Sequence, residues 1–238
     1  MLKQLQLTNF TNFKQSEFEF SKGLNLIIGE NGLGKTHLLK LGYLACRVCH
    51  AESKSRFIEN ETTLTNKVAG HLIDLFKAER LGNLSSAAHE EKTHVHAQIT
   101  GSSIPTVEIR ALGEERSVTK PEPYQMDWSF EFLSSSENHV SIGKLPEARS
   151  ESAKYGQAIY LSSKEMLSFF EGFIALYQKR ELAFDETFYD LAINLSLPAL
   201  KERPEIINKL LADLSAAVGG EVMLKGGRFY ITTGEKSR

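Results

Sequence analysis

A strand feeding a glycine-rich loop and then a helix is the kernel of the α/β fold that this 238-residue sequence predicts. Polar and apolar residues alternate at Leu5 and Leu7 and again at Phe18 and Phe20, the period of half-buried strands. The pentad Leu24-Asn25-Leu26-Ile27-Ile28 then runs into Gly29, Gly32 and Gly34. A helical pattern from Lys35 to about His50 follows. Two short strands, a buried strand, a loop and a helix thus occupy the first fifty residues.

Each element has its own cue. Thr8-Asn9-Phe10-Thr11-Asn12-Phe13 has the Asn and Thr chemistry of a turn between the first two strands. The pentad is apolar at four of five positions, as a strand covered on both faces should be. Residues 51–91 read as helical and amphipathic, with Leu72, Ile73, Leu75 and Phe76 facing a core. Residues 94–99, 106–109 and 127–132 read as strands. Ser, Glu, Asn and Gly make 134–152 a loop. A strand at 158–161 leads to helices at 164–179, 186–195 and 204–218, with Pro198 and Pro204 as breaks between the last two. Residues 222–224 and 228–232 form a hairpin around Gly226-Gly227. The expected organisation is 1–50 as the opening of a nucleotide-binding domain, 51–156 as an inserted helical and strand segment, and 157–238 as a further helical segment with a hairpin.

Composition narrows the classes. Hydrophobic residues make up 41% and charged residues 24%, ordinary for a globular chain. No apolar run approaches the roughly 18 residues of a membrane span. Residues 1–6 interleave polar and apolar side chains, unlike a signal peptide, so the cytoplasm is the expected compartment. A net charge of -2 argues against a basic nucleic-acid surface spread over the whole chain. Two cysteines, Cys46 and Cys49, cannot supply a disulfide framework.

Gly29-Glu30-Asn31-Gly32-Leu33-Gly34-Lys35-Thr36 fits G-x-x-x-x-G-K-[ST] at every fixed position. The glycines let backbone N–H groups close around phosphate oxygens. Lys35 brings a compact positive charge to the β- and γ-phosphates, and the Thr36 hydroxyl completes a Mg²⁺ shell. The helix that begins there, with His37 in its first turn, points its positive end at the same phosphates. Chance alone gives this pattern in roughly one chain of this length per hundred. The flanking strand and helix make chance a poorer account still. ATP and Mg²⁺ are the expected ligands.

The run Leu7-Thr8-Asn9-Phe10, Phe13, Phe18, Phe20 and Gly23-Leu24-Asn25-Leu26-Ile27-Ile28-Gly29-Glu30-Asn31-Gly32 resembles the opening of SMC, Rad50, RecF and related bacterial ATPases of the ABC type. Tyr160-Leu161-Ser162-Ser163-Lys164-Glu165 and Phe184-Asp185-Glu186-Thr187 resemble stand-alone members of that group. The resemblance implies a P-loop NTPase of the ABC/SMC type, with a mixed sheet, a helical insertion and head-to-head dimers that sandwich ATP. Gly29, Glu30, Asn31, Gly32, Leu33, Gly34, Lys35, Thr36 and His37 would then surround the phosphates, Thr36 would hold Mg²⁺, and the turn at 9–13 would lie near the nucleoside. Roles in DNA repair or phage defence, and contact with DNA, are implied by the resemblance alone.

Two later elements of such a domain are not evident. One is an L-S-G-G-like signature, faintly echoed by Thr232-Thr233-Gly234-Glu235-Lys236-Ser237. The other is a Walker B strand of four apolar residues ending in Asp-Glu, with Asp for metal and Glu to position water. Leu182-Ala183-Phe184-Asp185-Glu186 is the nearest candidate, and a capped helix start is its rival reading. The sequence therefore predicts an incomplete domain, a truncated or split product whose second half comes from a partner chain or a longer gene.

Other signals have bland rivals. Cys46-Arg47-Val48-Cys49-His50 matches C-x-x-C-H, a haem attachment pattern, but cysteines three apart on a helix also share a buried face. His94 and His96, with His89 nearby, could bind a metal or simply lie on an exposed strand face. Lys164-Glu165 could neighbour the nucleotide or start a helix, and Arg180 and Arg203 could meet nucleotide or partner. Three functional classes compete: an ATPase, a non-catalytic ATP-binding module, and a P-loop kinase, whose second Asp and Arg-rich lid are not evident.

Overall fold

The computed structural model describes residues 1–54, 60–86, 91–103, 107–108, 117–118, 123–144, 153–154, 156–164, 166–198 and 205–233. Two compact units divide the chain, residues 1–160 and 161–238.

The first unit is built on a sheet. Strands β1 (Leu2–Phe10) and β2 (Phe13–Glu19) form an antiparallel hairpin in which Leu5 faces Phe18 and Phe10 faces Phe13. Helices α1 (Lys35–Lys54) and α2 (Glu61–Phe76) follow, then a 3-10 turn at Leu81–Leu84. Strand β3 (Lys92–Ser103) returns to pair with β1, placing Leu5 opposite Ala97 and Leu7 opposite Val95. The short strands β4 (Val107–Glu108) and β5 (Ser117–Val118) pair with each other. Strand β6 (Pro123–Leu133) runs the length of β3, with Trp128 opposite Ala97 and Phe130 opposite Val95. Strand β7 (Ser141–Lys144) flanks β6, and β8 (Ala153–Lys154) meets the far end of β3. The order is β2-β1-β3-β6-β7, and every pairing among the described residues is antiparallel.

The strand period of two sorts this sheet into faces. Leu5, Leu7, Val95, Ala97, Ile99, Met126, Trp128, Phe130 and Phe132 are all buried in one core with Leu38, Leu41, Leu44 and Val48 of α1 and Val68, Leu72 and Leu75 of α2. The intervening residues are polar: Gln6 lies opposite His96, and His96 opposite Ser129. Here Lys92 pairs with Glu131 at 2.5 Å, and His96 Nε2 approaches Asp127 at 3.6 Å. Helix α2 is closed at both ends. Asn60 accepts from the Thr63 amide at 2.8 Å, and Lys77 adopts a left-handed φ of 52° at the C-cap.

The second unit has a small aromatic core. After a 3-10 turn at Leu167–Phe169 come α3 (Phe173–Gln178), α4 (Glu186–Ser196) and α5 (Glu205–Val218), then the hairpin β9 (Glu221–Lys225) and β10 (Arg228–Thr232). Met166, Phe170, Phe173, Phe188 and Ala192 are buried together, with Phe184 stacked on Phe169 at 5.2 Å. Arg228 donates to Glu171 at 2.5 Å, which with the local charges raises the already high guanidinium pKa.

The α/β class expected from the sequence is borne out, but several elements differ. Residues 24–28 are not a buried strand: they form no ladder among the described residues, and Leu24, Leu26 and Ile28 are 94%, 80% and 82% exposed. Only Ile27 of the pentad packs against the core. An apolar run specifies burial on both faces, but burial needs neighbouring strands, and the antiparallel sheet is satisfied without this one. Residues 158–161 repeat the pattern: Ala158 and Tyr160 pack inward, and Ile159 is exposed, with no strand formed. Among the described residues, the helical pattern of 51–91 resolves into the end of α1, α2 and the 3-10 turn at Leu81–Leu84. In the expected loop at 134–152, Ser141–Lys144 is a strand, because β6 offers it a free edge. The helix expected over 164–179 reduces to a 3-10 turn and the short α3, interrupted at Gly172 with φ 75°.

Candidate phosphate-binding loop

Helix α1 begins at Lys35, so the loop 29–34 ends where its first turn starts. Four N–H groups at any helix start lack intrahelical partners. Gly34, immediately before α1, has no side chain to cap them, and the first turn holds no acidic residue. The residue before α1 thus offers no side-chain acceptor to the opening amides. Gly32 and Gly34 both have φ of 86°, a region that L side chains rarely adopt. A Cβ on Gly34 would also come within 2.9 Å of the Phe13 ring, so a larger residue there must displace that ring.

The Lys35 ammonium folds back over the loop. It donates to the Gly29 carbonyl at 2.7 Å and to the Glu30 carbonyl at 2.5 Å. A positive charge is thus held against the loop backbone, complementary to an anion. Glu30, Asn31, Leu33 and Thr36 are exposed around it. His37 lies on the inner side: its ring meets Phe76 edge-on at 5.3 Å, and its buried Nδ1 has no hydrogen-bond partner among the described residues. Burial, and then the charge of Lys40, push the imidazole pKa below its usual 6.5. Lys40 donates to the Leu75 carbonyl at 2.6 Å, tying α1 to the negative end of α2.

The β1–β2 turn closes over the same loop. Asn12 Nδ2 donates to the Gly32 carbonyl, and the Phe13 ring covers Gly34. The turn is strained, since Asn9 and Thr11 have φ of 54° and 48°. A positive φ is an outlier for a β-branched threonine, and such residues cost about 1–3 kcal/mol each. Their surroundings hold them. The Thr11 amide donates to Leu84 at 2.7 Å, the Ser86 amide to the Asn9 carbonyl at 2.8 Å, and Thr93 Oγ1 to that same carbonyl at 3.0 Å. The resemblance had placed this turn near the nucleoside; its contact with Gly32 was not legible, because nothing in local spacing brings residue 12 to residue 32.

The remaining expected residues lie elsewhere. Asp185 is the N-cap of α4, accepting from the Thr187 amide at 3.0 Å, and Glu186 is buried in the first turn of that helix. Residues 181–185 form no strand. Cys49 is fully buried on α1, and burial raises the thiol pKa of its half-buried neighbour Cys46. His94 and His96 share the polar face of β3, and no cluster of three or more metal-ligating side chains occurs among the described residues. Lys164 sits in a bend where its carbonyl accepts from Ser162, and Arg180 takes a left-handed φ of 59° just after α3. His89, Glu165, Arg203 and residues 234–237 lie outside the described residues.

A strand hairpin, a glycine loop with a lysine folded back on it, and a helix that starts at that lysine, on an antiparallel sheet, define an α/β domain of the P-loop class. The chain belongs to the AAA domain family, whose sequence profile matches residues 4–216. It is similar to the DNA replication and repair protein RecF of Renibacterium salmoninarum, 46% identical over 54 residues that make up 22% of this chain and 14% of that protein. RecF of Pediococcus pentosaceus is 37% identical over 70 residues, covering 29% of this chain and 19% of the relative. The chain therefore spans less than a fifth of the length of these relatives. The SMC/RecF-type character read from the opening motifs is borne out. Among solved structures, one from work on ATP-driven dimerisation and DNA-stimulated activation of SMC ATPases overlays 63% of this chain and 74% of its own, at 17% identity and a TM-score of 0.32. A RecF–ATP structure overlays 75% of this chain and 36% of its own, at 16% identity and a TM-score of 0.37. No helix among the described residues is long and apolar enough to cross a membrane.

Proposed function

We propose that this chain binds ATP with Mg²⁺ through Gly29, Glu30, Asn31, Gly32, Leu33, Gly34, Lys35, Thr36 and His37. The observation that carries the reading is the Lys35 ammonium held by two carbonyls of a glycine loop that leads directly into α1. The loop suits phosphate: its glycines take up positive φ, and the α1 amides and Lys35 supply complementary charge. Lys35 exchanges its carbonyl partners for the β- and γ-phosphate oxygens, with gain from charge assistance. The exposed Thr36 hydroxyl holds Mg²⁺, which neutralises phosphate charge. His37 contributes its amide, its ring remaining against Phe76.

By kinship with the SMC/RecF group, nucleotide binding drives head-to-head dimerisation in the cytoplasm, in service of DNA repair or defence. Hydrolysis then draws on a metal-binding Asp and a water-positioning Glu. Asp185 and Glu186 are the only adjacent Asp-Glu pair of the sequence, and the Asp185 carboxylate is engaged as a helix cap. That engagement favours a second reading, in which this polypeptide binds ATP and turns it over only with catalytic groups from a partner chain.

Calorimetric titration with Mg²⁺-ATP, beside a turnover assay and a Lys35→Ala control, tests the proposal. Saturable binding that weakens by at least about 100-fold in the control, about 2.7 kcal/mol, is the expected result. Equal binding by both proteins contradicts it. Turnover by the isolated wild type removes the second reading.

A further inference from the structure

We infer that Asn12 is a positioning residue for the phosphate loop: its side-chain amide braces the Gly32 carbonyl and so holds the loop open toward phosphate. The inference rests on the ATP-binding reading, but the brace itself can be tested without nucleotide.

Three observations lead to it. Asn12 is exposed, so no burial requirement explains an Asn there, and its Nδ2 donates to Gly32, twenty residues away, in the middle of the glycine loop. Its neighbour Phe13 packs its ring where a Cβ on Gly34 would lie, so the turn touches the two loop glycines whose φ is 86°. The turn is itself held in an unfavourable backbone by hydrogen bonds from Thr11 to Leu84 and from Ser86 and Thr93 to Asn9. A strained turn anchored from the 3-10 segment and from β3 is a rigid support, whereas a glycine-rich loop is intrinsically mobile.

The consequence follows from the geometry of a peptide unit. A carbonyl pulled outward by a donor turns the N–H of the next residue the opposite way, because the peptide is planar and trans. Fixing the Gly32 carbonyl toward Asn12 therefore fixes the direction of the Leu33 amide. Loss of the donor leaves the loop to sample other orientations, and phosphate must then order it on binding. Asn12 acts through the loop and touches no reacting atom.

The test compares wild type, Asn12→Ala and Lys35→Ala. Backbone ¹⁵N order parameters of Gly32, Leu33 and Gly34, recorded without nucleotide, read the brace directly. In Asn12→Ala they should fall from near about 0.85 toward about 0.6 while those of β1 and β2 stay unchanged. Unchanged loop values overturn the inference whatever the protein does with ATP. Calorimetry then reads the consequence: Asn12→Ala should bind Mg²⁺-ATP about 5- to 20-fold more weakly at an unchanged thermal midpoint. Wild-type affinity in Asn12→Ala overturns the positioning role. A wild type that does not bind, or binds no better than Lys35→Ala, overturns the ATP reading, and the order parameters still decide the brace.

Discussion

Helices α1 and α4 begin in opposite ways. Helix α4 is closed by its own sequence: Asp185 accepts from the Thr187 amide, and Glu186 stands in the first turn. Helix α1 follows a glycine, has no acid in its first turn and begins with a lysine. Both starts carry the partial positive charge of aligned peptide dipoles. In α4 that charge is met by a residue of the chain, and in α1 the proposed function gives it to a ligand. The difference teaches why the Asp-Glu pair at 185–186 resembles a catalytic strand in one-dimensional spacing yet behaves as a capped helix. Asp is among the best N-caps, and a helix start is available to it.

Lys35→Ala should give the largest departure, removing at least about 100-fold of Mg²⁺-ATP affinity in calorimetry while Asp185→Ala leaves it unchanged. Next comes Gly34→Ala, which meets both the positive φ and the Phe13 ring. It should cost more than about 1 kcal/mol in urea denaturation and weaken nucleotide binding in the same protein. Asp185→Ala should then lower stability by about 1 kcal/mol, seen as a drop in the urea midpoint, since α4 loses its cap. An unchanged midpoint there would erase the contrast between the two helix starts.

The smallest effect is one of pH. His37 has a folded pKa below 6.5, set first by burial and then by Lys40. The unfolded chain therefore takes up the proton more readily, so the stability from the neutral ring is present above the unfolded pKa and is lost as pH falls through the folded one. Urea titrations from about pH 7 down to about pH 5 should show this loss, and His37→Leu should lessen its slope. An identical slope in the variant would mean that other groups carry the acid sensitivity.

The glycine loop was legible because its chemistry is local: eight consecutive residues carry the spacing, and a helix begins where Lys35 requires it. The hairpins were legible for the same reason, since Leu5, Leu7 and Phe18 fix their own register. Residues 24–28 defeat a local reading because apolar character states a need for neighbours without naming them. Ser141–Lys144 went unread for the converse reason: a polar, Gly-containing segment becomes a strand when a partner edge exists, as β6 provides. The brace from Asn12 to Gly32 is also long-range, and only the unusual Asn/Thr turn hinted that this hairpin does more than connect two strands.

The contrast between the two helix starts is tested most directly by following backbone amide resonances during titration with Mg²⁺-ATP. The largest shifts should fall on Gly32, Gly34, Lys35 and Thr36, with Thr187 and Phe188 unmoved. Shifts concentrated at Thr187 and Phe188, or none at the start of α1, would contradict the assignment of that helix start to phosphate.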